Sequence, residues 1–411
     1  MMPAGVVSRL SFAALLAAIA GCAQPPAPPA VPAGDAPSSH ATHGNDVRLH
    51  VDGPAAHKAM FAAMAAARDH INLETYILDG GEIAERLAEL LAKKVAQGVK
   101  VHVLYDGVGS VSTPRDYFKE LKKIGVAVCE FNPVEQLDKL NNRDHRKILV
   151  VDGRVAFTGG INISQAYRSS SRRARRSPGR DVKDGWRDTQ VEVRGPAAAQ
   201  FQRLFLDSWA LQDCGLWSEA RYFPPLERPG EKTARVVKSD PDAGSEMYVA
   251  LLEAIGKARS RVWLTIGYFV PDPQIKQALL DAASRGVDVR LVLPGYSDFW
   301  APISAGRSHY KQLLAAGVKI YEWHEALMHA KTAVIDTQWS SIGSTNLDWR
   351  SFVHNYEADL IVLDPAFAGE MERRFRLDMD AAVRIDPEQW RKRGLGRRFK
   401  EWLARQYEYV L

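Results

Sequence analysis

The chain has 411 residues, 46% of them hydrophobic and 25% charged, a globular balance that excludes wholesale disorder and fibrous repeats. Lys+Arg exceed Asp+Glu by 54 to 49, a net charge of +5 that permits an anionic partner without demanding one. Three cysteines cannot make a disulfide framework, and no apolar run reaches the ~18–20 residues of a membrane-crossing helix.

The amino terminus reads as an export segment. Arg9 supplies a positive charge and Leu10 to Ala20 an apolar stretch of 11 residues, too short to span a bilayer and suited to a signal peptide. It ends in Ile19-Ala20-Gly21-Cys22. Small residues before a cysteine resemble the bacterial lipobox, which implies a diacylglyceryl anchor on Cys22. Residues 1–21 are therefore expected to be a lipoprotein signal peptide. Residues 22–46, with six prolines between Gln24 and Gly44, are expected to be a tether extended at ~3.1 Å per residue. Two acyl chains hold a protein stably on a membrane. The expected location is the bacterial cell envelope, facing the periplasm, with inner and outer membrane both open.

From about residue 47 the chain is written twice. Ala67-Arg68-Asp69-His70-Ile71-Asn72-Leu73 aligns with Ala258-Arg259-Ser260-Arg261-Val262-Trp263-Leu264, and Gln97-Gly98-Val99-Lys100-Val101 with Arg285-Gly286-Val287-Asp288-Val289. Ile124-Gly125-Val126 aligns with Ala316-Gly317-Val318. Each match is an amphipathic helix, a glycine that ends it, and an alternating strand. The order predicts an α/β protein with a largely parallel sheet in each half. A polar, turn-rich stretch at Lys238 to Gly244 sets the expected domains at 47–240 and 241–411. The offset between repeats falls from 184 to 169 after Asn162, so the first repeat carries 15 extra residues. That insertion holds Arg168, Arg172, Arg173, Arg175, Arg176 and Arg180. It fits either a headgroup-gathering loop or a plain solvent loop. Cys129, inside the strand-like Val126-Ala127-Val128-Cys129, is expected in the core.

The chemistry lies in a repeated motif. His145-Arg146-Lys147-Ile148-Leu149-Val150-Val151-Asp152 is matched by His329-Ala330-Lys331-Thr332-Ala333-Val334-Ile335-Asp336, both H-x-K-x4-D. On a strand, His and Lys two apart project from one face. An imidazole beside an ammonium fits no core, and their natural joint partner is a phosphate. Downstream come Gly159-Gly160-Ile161-Asn162 and Gly343-Ser344-Thr345-Asn346. Small residues there would let backbone N–H groups approach a phosphate at a helix start, and Asn162 and Asn346 could add donors. Asp152 and Asp336 complete the signature at turns. Asp188 and Glu357 stand at equivalent strand starts.

The doubled motif resembles the phospholipase D superfamily, and within it the bacterial cardiolipin synthases. The likeness runs from about residue 47 to 405 and includes Asp106-Gly107-Val108-Gly109-Ser110, Trp186-Arg187-Asp188-Thr189, Leu347-Asp348-Trp349-Arg350-Ser351 and Asn355-Tyr356-Glu357. It implies two pseudo-symmetric α/β/α sandwich repeats packed as an internal dimer around one shared active site. It implies phosphatidyl transfer from phosphatidylglycerol to a second phospholipid alcohol through a covalent phosphohistidine, giving cardiolipin and glycerol. His145 would be the nucleophile and His329 the acid/base, with Lys147 and Lys331 on the non-bridging oxygens. Asp188 and Glu357 would orient the imidazoles. The sequence itself leaves the two histidines interchangeable. A phospholipase D or nuclease on the same scaffold differs only in its acceptor. A non-catalytic lipid-binding lipoprotein is disfavoured because both motif copies are complete.

No metal or cofactor is implied: no Cys/His cluster has zinc spacing and no P-loop appears. The partners expected are anionic phospholipid and a membrane surface, without nucleic acid, and no obligate protein partner is readable. The tail from Trp390 to Tyr407 mixes seven basic residues with Trp390, Phe399, Trp402 and Tyr407. It fits either an interfacial helix or a helix docked on the second domain.

Overall fold

The computed structural model describes residues 40–171, 185–215, 219–297 and 299–409. The signal segment, Cys22, nearly all of the tether and residues 172–180 of the insertion lie outside them.

The first half runs β1 (Thr42–Val51), α1 (Gly53–Ala66), β2 (His70–Thr75), α2 (Glu82–Ala96), β3 (Lys100–Asp106), α3 (Arg115–Lys123), β4 (Ala127–Phe131), β5 (Lys147–Val151), β6 (Val155–Gly159), β7 (Thr189–Arg194) and α4 (Ala197–Leu211). The second repeats it: β8 (Lys232–Asp240), β9 (Gly244–Ser245), α5 (Glu246–Lys257), β10 (Arg261–Ile266), α6 (Pro273–Ser284), β11 (Asp288–Pro294), α7 (Trp300–Ala315), β12 (Lys319–Trp323), β13 (Lys331–Ile335), β14 (Trp339–Gly343), β15 (Glu357–Leu363) and α8 (Pro365–Asp380). Then follow β16 (Val383–Arg384), α9 (Pro387–Arg391) and α10 (Leu395–Arg405). Local signals explain the helices. In α2, Ile83, Leu87 and Leu91 recur every fourth residue and are buried, with Glu82 and Glu85 in the first turn and Lys93 and Lys94 in the last. Gly98, at φ 87°, ends the run in a left-handed conformation.

The strand order is β4-β3-β2-β5-β6-β7-β1 in one half and β12-β11-β10-β13-β14-β15-β8 in the other. The halves join where β1 meets β8, so the described strands form one continuous sheet. Only β2-β3-β4 and β10-β11-β12 are parallel; every other pairing is antiparallel. The expected largely parallel sheet is therefore corrected to a mixed one. Helical crossovers join only β2, β3 and β4 in the first repeat and β10, β11 and β12 in the second, and the short connection after β5 or β13 can join only antiparallel neighbours. The domain limits shift too. Thr42 already lies in β1. Lys232–Asp240, expected to close the first domain, instead pairs with β15 along its length. The junction of the repeats thus falls between α4 and β8.

Each half has its own apolar core, and a third cluster draws on both, with Ile148, Val150, Val191 and Phe201 of the first half and Val236, Val334, Ile342 and Leu360 of the second. A buried ion pair crosses the same boundary. Arg187 meets Asp378 of α8 through two contacts of 2.6 and 3.1 Å, and Arg374 shares that carboxylate. Cys129 is not a plain core thiol. It forms a disulfide with Cys214, 85 residues away. That separation left no spacing signal to read.

Candidate active site

The sheet places the two signature histidines at corresponding points, immediately before β5 and β13. Each is held by the opposite repeat. The His145 backbone N–H donates to the Tyr356 carbonyl at 2.9 Å, and that of His329 to the Arg187 carbonyl at 2.8 Å. The side chains cross as well. His145 Nδ1 lies 2.9 and 3.1 Å from the Glu357 carboxylate oxygens, and His329 Nδ1 lies 2.8 Å from Asp188 Oδ2. Each imidazole therefore takes its carboxylate from the other repeat, and neither half contains a complete pair.

Lys147 and Lys331 lie beside these rings and are buried. Lys147 Nζ donates to the His145 carbonyl at 2.5 Å and sits 5.1 Å from the Tyr76 ring centre; Lys331 Nζ donates to the His329 carbonyl. Asn162 Oδ1 accepts from the Ile77 N–H at 3.0 Å, while its Nδ2 is buried without a hydrogen-bond acceptor. Asn346 Oδ1 likewise accepts from the Tyr268 N–H at 3.2 Å. Both asparagines thus hold the loop that follows β2 or β10.

Asp152 and Asp336, which complete the signature, do not join the cluster. Six residues of strand and turn lie between each and its histidine, on the order of 20 Å at ~3.3 Å per residue. Asp152 accepts from the N–H groups of Arg68, Asp69 and His70 at 2.8–3.2 Å, and Asp336 from those of Arg259, Ser260 and Arg261 at 2.7–2.9 Å. Both sit at left-handed turn positions, φ 53° and 51°. Their work is to pin the start of β2 and β10. The glycines do not stand at a helix start: short helical turns begin only later, at Gln165 and Arg350, and Gly160 and Ser344 give their N–H groups to the Thr189 and Ala358 carbonyls. Gly160 is small for a different neighbour, since a Cβ there would fall 2.3 Å from Asp188 Oδ1. The glycine clears room for the carboxylate.

Burial and crowding of like charge set the protonation of the site. Desolvation pushes His145 well below its ordinary value, helped by Lys147, Lys331 and His329. It takes His329 down to about 4, with Lys331 adding to the effect and Asp188 opposing it. Lys147 falls to about 7 and Lys331 to about 8, both chiefly through burial. The carboxyls diverge. Burial lifts Glu357 to about 7, with Lys147 opposing. Burial would raise Asp188 too, but its hydrogen bond to His329 and the positive charge nearby hold it below the usual carboxylate value. Both imidazoles are thus kept neutral chiefly by burial, and secondly by the neighbouring ammonium groups.

The family model described as "Cardiolipin synthase, PLD-like domain" matches residues 60–172 and 251–379, the two stretches that carry these motifs. The chain belongs to this phospholipase D-like family. A cardiolipin synthase of Listeria monocytogenes is 32% identical over 377 residues, 90% of this chain and 76% of that protein. Cardiolipin synthase A of Pseudomonas aeruginosa is 35% identical over 353 residues, 84% of this chain and 69% of that protein. In structure, the chain resembles phosphatidylserine synthase of Haemophilus influenzae, with a TM-score of 0.63 at 12% identity over 89% of this chain and 95% of that one. That likeness speaks for the fold.

Within this family framework, one contact escaped the sequence. The Tyr167 hydroxyl lies 3.0 Å from His329 Nδ1, 3.1 Å from Asp188 Oδ2 and 3.1 Å from the Gly160 carbonyl. Its counterpart at the repeat offset of 184 is Ser351, so comparing the repeats favoured matched residues and passed over an unmatched one. Trp186 packs 5.1 Å from the His329 ring and Tyr76 packs 4.9 Å from that of His145. Among the described residues, no group of three or more His, Cys, Asp or Glu is placed to hold a metal ion.

Proposed function

We propose that this chain is a phosphatidyltransferase that makes cardiolipin from two phosphatidylglycerol molecules, releasing glycerol. The observation that carries the reading is the crossed pairing of His145 with Glu357 and His329 with Asp188 beside two buried lysines. It gathers a nucleophile, an acid and two oxyanion-stabilising charges in one desolvated pocket, the requirements of phosphodiester exchange.

With Nδ1 engaged by a carboxylate, Nε2 is the nitrogen of each ring for phosphorus chemistry. Neutral His145 attacks phosphorus and forms a P–N bond as the P–O bond to the glycerol headgroup breaks. His329, charged by a proton taken up with the anionic substrate, gives that proton to the leaving alkoxide. It then takes the proton of the incoming phosphatidylglycerol hydroxyl, whose oxygen displaces His145 and forms the new diester. Lys147 and Lys331 hold the non-bridging oxygens as point charges. Asp188, ionised throughout, stabilises the imidazolium of His329. His145 is assigned the nucleophilic role because its carboxyl partner ionises only near neutrality and favours the uncharged ring.

The same reading puts the enzyme in the cell envelope, anchored through Cys22. The Cys129–Cys214 disulfide supports an oxidising compartment. No helix among the described residues is long and apolar enough to cross a membrane.

The decisive assay is incubation of purified protein with phosphatidylglycerol vesicles and separation of the lipids. Cardiolipin with equimolar glycerol is the expected product. Phosphatidic acid alone would make the chain a hydrolase, and no turnover at all would defeat both enzymatic readings.

A further inference from the structure

The carboxy-terminal helix is amphipathic in the wrong sense for a helix of a soluble core. α10 docks on α7 through Ala404, which is buried with Val270, Phe299, Ala301 and Ala305. Glu401, also buried, pairs with Arg393 at 2.7 Å. At 100° per residue, Leu395, Phe399, Trp402 and Leu403 fall within a sector of about 100° on roughly the opposite side. All four are exposed, from 37% for Leu403 to 79% for Leu395. An apolar stripe normally turns to the core; here it turns away. The Phe399 and Trp402 rings stack at 5.8 Å. Trp300, at the start of α7, extends the patch, with the Lys400 ammonium 4.9 Å from its ring centre.

Charge and position indicate the occupant. Arg398 and Arg405 on one side and Lys400 on the other flank the stripe, and the single acid of the helix, Glu401, is turned inward and neutralised. The outward face is therefore apolar in the middle, basic at the edges and free of carboxylates. It also adjoins the catalytic cleft. The first turns of α7 give Pro302, Ile303 and Gly306 to a small cavity that Tyr268 also lines, and the Tyr268 ring stands perpendicular to His329 at 6.1 Å. Beyond α10, Tyr409 packs against Trp349 and His354, at 5.4 and 5.7 Å, on the segment that follows Asn346.

We propose that the outer face of α10, together with Trp300, is the surface by which the folded domain lies on an anionic phospholipid bilayer. Leu395, Phe399, Trp402 and Leu403 enter the boundary between headgroups and acyl chains, and the flanking arginines and lysine meet headgroup phosphates. The choice of a bilayer as occupant rests on the function proposed above. The consequence is that the cleft opens at the height of the headgroups, so the substrate phosphodiester reaches the histidines without leaving the membrane.

The test uses the full chain with Cys22→Ser, so that no acyl anchor contributes, and the same protein carrying Phe399→Ala and Trp402→Ala. Both are floated with vesicles of phosphatidylcholine alone and of phosphatidylcholine with 30–50% phosphatidylglycerol (about the range of a strongly anionic membrane). The expected result is binding to the anionic vesicles that weakens with salt, and a drop of about tenfold or more in partitioning for the double variant. An unchanged thermal midpoint serves as the check on folding. Equal partitioning of the two proteins would overturn the proposal. So would a dimer that the double substitution converts to monomer with vesicle binding intact, which would make the patch a contact between copies. Conversion of phosphatidylglycerol is read separately: its absence in the parent protein would sink the proposed function and leave the vesicle comparison standing.

Discussion

The two histidines occupy equivalent places in the repeats and share a lysine and an asparagine, yet their surroundings differ at several other neighbouring positions. Asp188 beside His329 has Gln190 two residues on; Glu357 beside His145 has Asp359 there, and Asp348 nearby where the first repeat has Ser164. Asp348 and Asp359 are buried and pushed up to about 7, burial first and Glu357 contributing. The second repeat thus crowds three carboxyls where the first keeps one. Tyr167, a full phenol on the Asp188–His329 pair, is replaced by Ser351 on the other side. The difference teaches that gene-level symmetry supplies two imidazoles and that the unmatched neighbours give them different electrostatic surroundings. One pair is built around a permanent anion suited to an imidazolium, the other around a carboxyl that titrates near neutrality.

The largest effects should test that division directly. His145→Ala and His329→Ala are each expected to lower turnover of phosphatidylglycerol by ~10³-fold or more, as for members of a catalytic unit. A substrate with a p-nitrophenol leaving group needs no acid, so it should restore the first step in His329→Ala and not in His145→Ala. Equal rescue in both variants would mean that the two pairs are interchangeable.

Next in size are the carboxyls. Asp188→Asn should cost on the order of 10²-fold in kcat, the scale of general acid–base catalysis. Glu357→Gln should instead alter the pH profile. Glu357 ionises as pH rises through about 7, and only the carboxylate accepts the Nδ1–H of neutral His145. The kcat/KM of the parent enzyme should therefore rise as Glu357 ionises and fall as Lys147, near pH 7, and then Lys331, near pH 8, lose their protons, giving a narrow bell. Asp188, already ionised, adds no limb. The rising limb should vanish in Glu357→Gln and survive in Asp188→Asn; a rising limb in both variants would contradict the assignment.

Tyr167→Phe is the smallest change. It removes one hydrogen bond, worth about 0.5–1.5 kcal/mol net, so a fall of roughly 3–10-fold in kcat with little change in KM is expected. Ser351→Ala, on the opposite pair, should not reproduce it. Rescue of the pH profile by no other phenol-sized residue is not required; the matched pair of variants decides whether Tyr167 positions His329 or only fills space.

Much of this was legible in the chain itself. A helix, a closing glycine and an alternating strand are local patterns, and their recurrence at a near-constant offset revealed the two repeats and every member of the His–Lys–Asn set. Local pattern also explains the failures. Sheet direction in β5 to β7 depends on which strands become neighbours. The Cys129–Cys214 bridge joins residues 85 apart, and the shift of Lys232–Asp240 to the second half follows from its pairing with β15. The signature aspartates kept company in sequence with residues from which a strand's length then parted them.

The sequence by itself determined the inventory: two imidazoles, two ammonium groups and two carboxylates, each at a strand end. Tertiary structure alone decided their partnership. Because the repeats also meet through the bridges Asp144–Tyr356 and Arg187–Met328, each histidine lies against the other repeat's carboxylate, and the charges become buried neighbours. There burial sets protonation, and burial is a property of the assembled fold.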